Sequence, residues 1–275
     1  MIQQIELVLL PEQAADRTIQ HQEAARLLNL DPSRIKSVEI KKRSIDARGR
    51  TVRIRLLTDV FIDSLPENFS KETKFRFQAD VSKGKKVIIV GFGPAGMFAS
   101  LKLIENGFKP IVIERGKSVR NRRRDLAAIN KLGIIDPDSN YCFGEGGAGT
   151  YSDGKLYTRS NKRGDIHRIL DILIHHGADP DIRVDAHPHI GTNKLPKIVE
   201  AIRETLLNAG GEIHFETRLA DILASDGKFK SALVKNVSSG KEEKIDADAL
   251  ILATGHSARD IYELFAAKNW QIEAK

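Results

Sequence analysis

The sequence predicts an α/β domain built on a parallel sheet and ending in a β-meander, with a smaller α+β domain before it. The uninterrupted apolar run Val87 to Val90 is typical of a strand covered on both faces of a parallel sheet. A helical pattern and a second apolar strand, Pro110 to Ile113, follow it in βαβ order. The first 60 residues instead alternate apolar and polar positions, so we assign residues 1–82 to the smaller domain and 83–275 to the larger one.

The smaller domain is predicted to be α+β and ferredoxin-like. Turn chemistry at Asp31-Pro32-Ser33 separates a helix from the strand after it, and Ala47-Arg48-Gly49 turns a hairpin. The expected elements are a strand over 5–10, a helix over 21–28, hairpin strands over 35–45 and 50–57, and one more strand over 75–81.

The larger domain is expected to continue with helices and the meander after its βαβ unit. Residues 141–154 hold five glycines and are predicted to form a loop. The other expected elements are helices over 120–133, 164–176 and 194–208, meander strands over 212–217, 219–224, 229–236 and 243–245, and a final strand over 249–253.

A glycine-rich turn, Gly91-Phe92-Gly93-Pro94-Ala95-Gly96, joins the first strand of the βαβ unit to its helix. Gly91 allows a tight turn, Gly93 allows the backbone to approach a pyrophosphate, and Gly96 allows the helix to pack on the strand. Phosphates are favoured at the helix N-terminus, where free N–H groups and the helix dipole attract negative charge.

Glu114 ends the second strand about twenty residues after this turn, where an acid accepts hydrogen bonds from an adenosine ribose. Strand, glycines, helix, second strand and terminal acid together predict a Rossmann-like dinucleotide-binding unit. The acid fits NAD or FAD and disfavours NADP, whose extra phosphate it would repel.

Several spaced motifs resemble the glutathione-reductase-like FAD superfamily. They are the Pro-Ala pair of the turn, the Glu-Arg-Gly sequence at 114–116, ADALILATG at 247–255 and GEIHFETRLADI at 211–222. The segments GEGGAGTYSDGKL at 144–156, HPHIGTNKL from His187 and ATGHSARD from Ala253 resemble a bacterial family of FAD-dependent dehydrogenases with an extra N-terminal domain. The resemblance implies FAD as the cofactor.

The resemblance also implies roles for residues outside the turn. In related flavoproteins the stretch after Arg115 passes the FAD pyrophosphate, and the strand near Leu219 lies against the adenine. His256 and Ser257 are candidates to lie near the cofactor because they follow the Ala-Thr-Gly turn. The predicted cofactor-binding residues are Gly91, Gly93, Pro94, Ala95, Gly96, Glu114, Arg115, Arg122, Gly147, Gly149, Thr150, Leu219, Ala253, Thr254 and Gly255.

The implied chemistry is hydride transfer through the flavin N5, with NADH or NADPH as electron donor and an unidentified small-molecule substrate. No catalytic residue is predicted, because Ser-His-Asp, paired-carboxylate and P-loop spacings are absent from the sequence. No metal site is predicted either, since no cysteine or acid completes a ligand set beside His187 and His189.

The composition of the sequence limits the cellular compartment and the classes of function that we expect. No apolar stretch reaches the ~20 residues that cross a bilayer, so no membrane association is expected. The single cysteine, Cys142, excludes a disulfide framework and a dithiol redox pair within this sequence and fits a reducing cytoplasm. Its place between Tyr141 and Phe143 predicts a buried small hydrophobe rather than a nucleophile.

Two other functions are compatible with the sequence. Family members continue past the Ala-Thr-Gly strand to a substrate domain and a returning strand and helix, which have no counterpart here. We therefore expect the front portion of a longer flavoprotein, or a cofactor-binding module without turnover.

The net charge of +7 suggests a second alternative, a flavoprotein acting on RNA, although no aromatic residues accompany the basic clusters at 34–55 and 115–124.

Overall fold

The computed structural model describes residues 1–66, 69, 75–77, 80–156 and 164–273. The chain forms two compact units, one of residues 1–74 with 155–190 and the other of residues 75–154 with 191–275. The inclusion of residues 155–190 in the first unit was not foreseen from the sequence, and the boundary between residues 82 and 83 stays a prediction.

Apart from α1, which was not expected, the described helices and strands follow the predicted order. The helices are α1 (Pro11–Ala15), α2 (Arg17–Leu28), α3 (Pro94–Glu105), α4 (Val119–Leu132), α5 (Ile166–His175), α6 (Leu195–Asn208) and α7 (Arg259–Ala267). The strands are β1 (Ile2–Leu9), β2 (Ile35–Asp46), β3 (Arg53–Ile62), β4 (Lys86–Val90), β5 (Lys109–Ile113), β6 (Glu212–His214), β7 (Thr217–Ser225), β8 (Lys228–Asn236), β9 (Glu242–Asp246) and β10 (Ala249–Leu252).

The first unit contains an antiparallel sheet of order β1-β3-β2. Helix α2 begins where the Asp16 carboxylate accepts from Thr18 N and Ile19 N, and it packs its alanines against the buried Leu7 and Leu56. The β-α-β-β order is that of the α+β domain expected from the sequence. Of the strand predicted over 75–81, residues 78 and 79 lie outside the described part of the chain, and 75–77 and 80–81 are not in a strand.

Residues 180–186 attach to β2 through Arg43. Arg43 N donates to Val184 O at 2.7 Å, and Ala186 N donates to Arg43 O at 2.8 Å. The Arg43 guanidinium also donates to Asp185 at 2.7 Å and to Asp181 at 2.8 Å. These contacts explain why a segment distant in sequence belongs to the N-terminal unit.

The second unit is built on a parallel sheet of order β10-β4-β5-β6, and the meander β7-β8-β9 is antiparallel. Their apolar residues share one core cluster, in which Ile88 and Ile113 of the sheet are buried with Leu219 and Val234 of the meander. Burial of this cluster removes apolar surface from water and so holds the meander on the sheet.

The strand register places four strand ends at one edge of the parallel sheet. Val90 is opposite Ile113 on one side and Leu252 on the other, and Ile113 is opposite His214. Ligands of open α/β sheets bind at this carboxyl edge, so the edge is where a site is expected. None of the helices in the described residues combines the length and apolarity that a membrane-spanning helix needs.

Candidate functional site

A cavity of about 490 Å³ lies at the carboxyl edge of the parallel sheet, and every residue lining it belongs to the second unit. This volume is within the range of small-molecule and cofactor sites. The predicted residues that line it are Gly91, Gly93, Pro94, Ala95, Glu114, Arg115, Gly147, Leu219, Ala253, Thr254 and Gly255.

The four other predicted residues do not line the cavity: Gly96, Arg122, Gly149 and Thr150. Among the lining residues, His256 and Ser257 were expected near the cofactor. The sequence did not single out Phe143, Gly144, Ala148, Thr217, Arg218, Ala258 and Asp260 as site residues.

The glycines of the turn are required for different reasons. A Cβ on Gly96 would lie 1.9 Å from Gly91 O, so Gly96 lets α3 pack on the strand–turn junction. Gly91 has a φ of +100°, and a Cβ there would lie 2.5 Å from Ala253 O. Gly93 differs, since its φ is −76° and a Cβ would approach the protein no closer than 3.7 Å, at Gly147 Cα. A Cβ on Gly93 would therefore fit without a clash, and because Gly93 lines the cavity, the space beside it is accessible to a ligand.

Helix α3 begins at this open space. Gly93 is its N-cap residue and provides no side-chain hydrogen bond, so the first-turn N–H groups have no side-chain cap. An anionic group placed beside Gly93 and Ala95 would meet these N–H groups and the positive end of the helix dipole.

Glu114 is buried and holds three segments of the site together. Its carboxylate accepts from Phe92 N at 2.7 Å, from Gly116 N at 2.8 Å and from Gly144 N at 2.9 Å. A carboxylate has about four acceptor directions, so three backbone amides leave about one for a ligand. The residue thus lines the cavity and also fixes its shape.

Arg115 and Asp260 form one side of the cavity. The Arg115 guanidinium donates to both carboxylate oxygens of Asp260 at 3.2 and 3.0 Å, and its centre lies 4.4 Å from the ring centroid of Phe143. This bidentate geometry fixes the guanidinium in orientation. It ties the end of β5 to the first turn of α7.

Arg122 has a different environment from the one predicted. It is 1% exposed, and its guanidinium donates to backbone carbonyls of residues 140–150, including Glu145 O at 2.9 Å and Gly147 O at 2.8 Å. Burial lowers the pKa of this guanidinium. The side chain therefore lies behind the cavity wall rather than in it.

Glu145 is a fully buried acid that the sequence reasoning missed. Its carboxylate accepts from Val119 N at 2.7 Å and from Arg203 Nη1 at 2.8 Å. Burial raises the pKa of Glu145 to about 7, against the opposing attraction of Arg203 and the Val119 hydrogen bond. A glutamate within a glycine-rich run was the only sequence signal for it.

Cys142 corrects an expectation. It is exposed and lines the cavity, whereas its aromatic neighbours had suggested burial. The reason is local: Cys142 lies in a bend in which its N–H donates to Asn140 Oδ1 at 2.8 Å, and the neighbouring Tyr141 is itself exposed.

Comparison with known proteins gives two family matches. Residues 85–271 match the family described as pyridine nucleotide-disulphide oxidoreductase, and residues 1–61 match a domain of unknown function, DUF8436. An uncharacterized protein of Clostridium beijerinckii is 37% identical over 276 residues, which cover 94% of this chain and 50% of the relative. The chain thus spans about half the length of that curated relative.

Solved structures similar to this chain include THI4 of Thermovibrio ammonificans, with 15% identity, a TM-score of 0.44, and 69% of this chain and 65% of that chain covered. Glycerol-3-phosphate dehydrogenase from Bacillus halodurans complexed with FAD has 10% identity, a TM-score of 0.42, and 67% and 37% covered. A 3-ketosteroid-Δ4-(5α)-dehydrogenase from Rhodococcus jostii has 16% identity, a TM-score of 0.37, and 66% and 47% covered.

Proposed function

Because this chain belongs to the pyridine nucleotide-disulphide oxidoreductase family, we propose that the cavity of its second unit holds the adenosine and pyrophosphate of FAD. The family match spans all the residues that line the cavity. The second unit is a Rossmann-like, FAD-binding oxidoreductase domain, and its substrate is not identified.

The observation that carries the proposal is the open space beside Gly93. Neighbouring glycines are needed because protein atoms would clash with a side chain, but at Gly93 the nearest protein atom to a built Cβ is at 3.7 Å. Together with the first turn of α3, which no side chain caps, this space fits a pyrophosphate. The residues present therefore suit the cofactor.

Each neighbouring group has a proposed part in binding. Glu114 would accept from the adenosine ribose with its remaining lone-pair direction, and the backbone near Leu219 would lie along the adenine. The backbone of residues 253–255 would pass close to the cofactor, since Gly255 has a φ of +73° and its built Cβ meets nothing within 4 Å. Gly96 supports the site through helix packing.

The chemistry proposed for the whole protein is flavin-dependent dehydrogenation or reduction. When bound, FAD supplies hydride transfer at its N5 atom, and the protein supplies position and electrostatics. NADH or NADPH is the proposed electron donor, and a small molecule the substrate. This sequence holds one cysteine, so the dithiol chemistry in the family's name is not part of the proposal. A cytoplasmic location is proposed because the thiol is free and exposed.

The RNA-binding alternative loses support in the structure. Five cations of the basic N-terminal region form ion pairs: Arg34 with Asp63, Lys41 with Asp59, Arg43 with Asp185, Arg48 with Asp46 and Arg55 with Glu6. Charges neutralised in this way contribute little to a phosphate-binding surface.

Reconstitution tests the proposal. Purified protein is incubated with FAD, desalted, and examined for absorbance near 450 nm, and the flavin complex is then mixed anaerobically with NADH or NADPH. We expect about one flavin per chain and bleaching by one of the two donors. Bound flavin that neither donor reduces would support a binding module without turnover, and protein that retains no flavin would contradict the cofactor assignment.

A further inference from the structure

Arg122 is the largest fully buried side chain among the residues that the structure describes, yet it does not line the cavity. Its Nε donates to Asn140 O at 2.9 Å and its Nη2 to Tyr141 O at 3.1 Å. Its Nη1 lies within hydrogen-bond distance of the carbonyls of Gly144, Glu145 and Gly147. The Arg122 guanidinium thus lies within hydrogen-bond distance of five backbone carbonyls in residues 140–150. We call residues 140–150 the glycine loop.

The glycine loop is shaped around the stem of this arginine. Gly144 has a φ of +125°, and a Cβ there would lie 2.3 Å from Arg122 Cδ. Thr150 is also buried, and its hydroxyl lies 3.1 Å from Glu145 O and 3.0 Å from Gly147 O. The loop carbonyls therefore converge on two side chains, neither of which lines the cavity.

The glycine loop in turn makes contacts that hold the start of α4. The Glu145 carboxylate accepts from Val119 N, in the first turn of α4, where the N-cap residue Ser118 makes no side-chain hydrogen bond. Glu145 thereby caps the helix that carries Arg122. The Arg203 guanidinium of α6 holds the same carboxylate from the other side. The glycine loop and α4 therefore stabilise each other's conformation.

The opposite face of the glycine loop forms part of the cavity wall, through Phe143, Gly144, Gly147 and Ala148. Burying a guanidinium is expensive, and apolar residues often replace buried charged groups without loss of stability. A structural core alone therefore gives little reason for an arginine here. A loop that must keep a defined shape against a ligand gives a stronger one.

We propose that Arg122 is a positioning residue for FAD binding, which holds the glycine loop as one wall of the cofactor cavity without contacting the phosphates. This inference rests on the proposed function. It requires the planar five-donor fork of arginine, because a lysine ammonium has three donors and cannot span five carbonyls. A residue that only neutralised phosphate charge would tolerate lysine.

The test compares Arg122→Lys and Arg122→Gln with Arg124→Gln, which removes the same charge from an exposed site on α4. Two quantities are measured: the Kd for FAD by flavin fluorescence, and amide hydrogen exchange of residues 140–150 without FAD. We expect both Arg122 variants to bind FAD at least about tenfold more weakly and to exchange faster in the loop, and Arg124→Gln to match wild type. Near-wild-type FAD affinity of Arg122→Lys would overturn the inference, as would unchanged loop exchange in Arg122→Gln.

Thr150→Val provides a milder variant should the Arg122 variants not fold. It removes the hydroxyl that joins Glu145 O and Gly147 O but leaves α4 unaltered. We expect severalfold weaker FAD binding, restored by Thr150→Ser, and wild-type affinity of Thr150→Val would overturn the inference. If wild-type protein binds no FAD, the proposed function and this inference both fail; if wild type and the Arg122 variants bind it equally, only this inference fails.

Discussion

Glu114 holds backbone N–H groups of three segments, and this determines what its removal would do. The acid was expected to bind a ribose, but its carboxylate is mainly occupied by Phe92 N, Gly116 N and Gly144 N. Buried amide groups that lose their acceptor are costly. The effect of a mutation at this residue should therefore appear in stability before any ligand is added.

We predict that Glu114→Ala lowers the free energy of unfolding of the cofactor-free protein by at least about 3 kcal/mol, since each unsatisfied amide costs about 1–3 kcal/mol. Glu114→Gln keeps one carbonyl acceptor and should lose less. Urea denaturation of both variants measures this. Unchanged stability of Glu114→Ala, with weaker FAD binding, would mean that the ribose contact is its main role.

Two glycines of the turn should respond differently to the same substitution. Gly96→Ala places a methyl group 1.9 Å from Gly91 O, so we expect a loss of about 1–3 kcal/mol in stability. Gly93→Ala meets no protein atom closer than 3.7 Å and should keep wild-type stability. Thermal unfolding of cofactor-free protein checks both. A stable Gly96→Ala would contradict the proposed close packing of α3.

The turn shows how far sequence reasoning reaches at this scale. The close packing at Gly96 could be predicted because its built Cβ meets Gly91 O within the same βαβ unit. The atoms nearest to a built Cβ on Gly91 and on Gly93 belong instead to Ala253 and Gly147, which are distant in sequence. Arg122 was predicted to bind the cofactor, but its side chain is buried and does not line the cavity, and its position after Glu114 in the sequence is compatible with either environment. Which way its side chain turns depends on the glycine loop, whose shape is set by contacts distant in sequence.

At the level of elements, α4 and the glycine loop act as one structure. Glu145 caps the helix, and Arg122 in the first turn of that helix holds the loop. The sequence predicted the helix and the loop separately. Their mutual dependence could not be predicted, since a capping acid that follows its helix in sequence has no local spacing signature.

Glu145 should make the stability of α4 and the glycine loop depend on pH. Its pKa is raised from 4.5 to about 7 by burial, so between these values the folded chain binds more protons at Glu145 than the unfolded chain does. The resulting stabilisation is full below pH 4.5 and is lost as the pH rises through 7. Relative to Glu145→Gln, wild type should lose up to about 3 kcal/mol between pH 4.5 and 8.

Urea denaturation of wild type and Glu145→Gln across this range measures the difference, in which contributions of other groups cancel. If the free energies of unfolding of wild type and Glu145→Gln changed with pH in parallel, Glu145 would be ionised in the folded protein throughout this range, stabilised by Arg203.

Strand and helix positions were predicted closely where the pattern is periodic, as in α6 and in β7, β8 and β9. The strand predicted over 212–217 was wrongly assigned to the meander, because β6 (Glu212–His214) pairs in parallel with β5. The predictions were wrong where contacts distant in sequence determine whether an element forms or where it ends. Helix α1 was not expected, because its five residues, of which Pro11 is the first, are too few to carry a periodic signal. Strand β3 continues to Ile62, five residues past the predicted end, because it pairs on both sides as the central strand.

At the scale of the whole molecule, the N-terminal unit includes a segment that the chain reaches only after building the glycine loop. Arg43 joins that segment to β2 through backbone and side-chain contacts. The sequence offered no sign of this, because an arginine in a basic strand looks like a solvated residue.

We predict that Arg43→Ala loosens residues 180–186 by about 1 kcal/mol, the sum of two partly exposed ion pairs. Amide exchange in this segment should become severalfold faster. The matched control is Arg34→Ala, whose partner Asp63 lies outside the segment. Unchanged exchange in Arg43→Ala would show that the backbone bonds to Val184 and Ala186 suffice.

According to the proposed function, the cavity at the carboxyl edge of the parallel sheet binds FAD through the space beside Gly93. The most direct test is calorimetric titration of ADP and FAD into wild type, Gly93→Val and, as control, Gly49→Val in the N-terminal hairpin turn, where a built Cβ meets nothing closer than 4.0 Å. We predict competition between ADP and FAD for one site in wild type and Gly49→Val, and loss of both ligands in a folded Gly93→Val. Undiminished binding of FAD to Gly93→Val would contradict the claim.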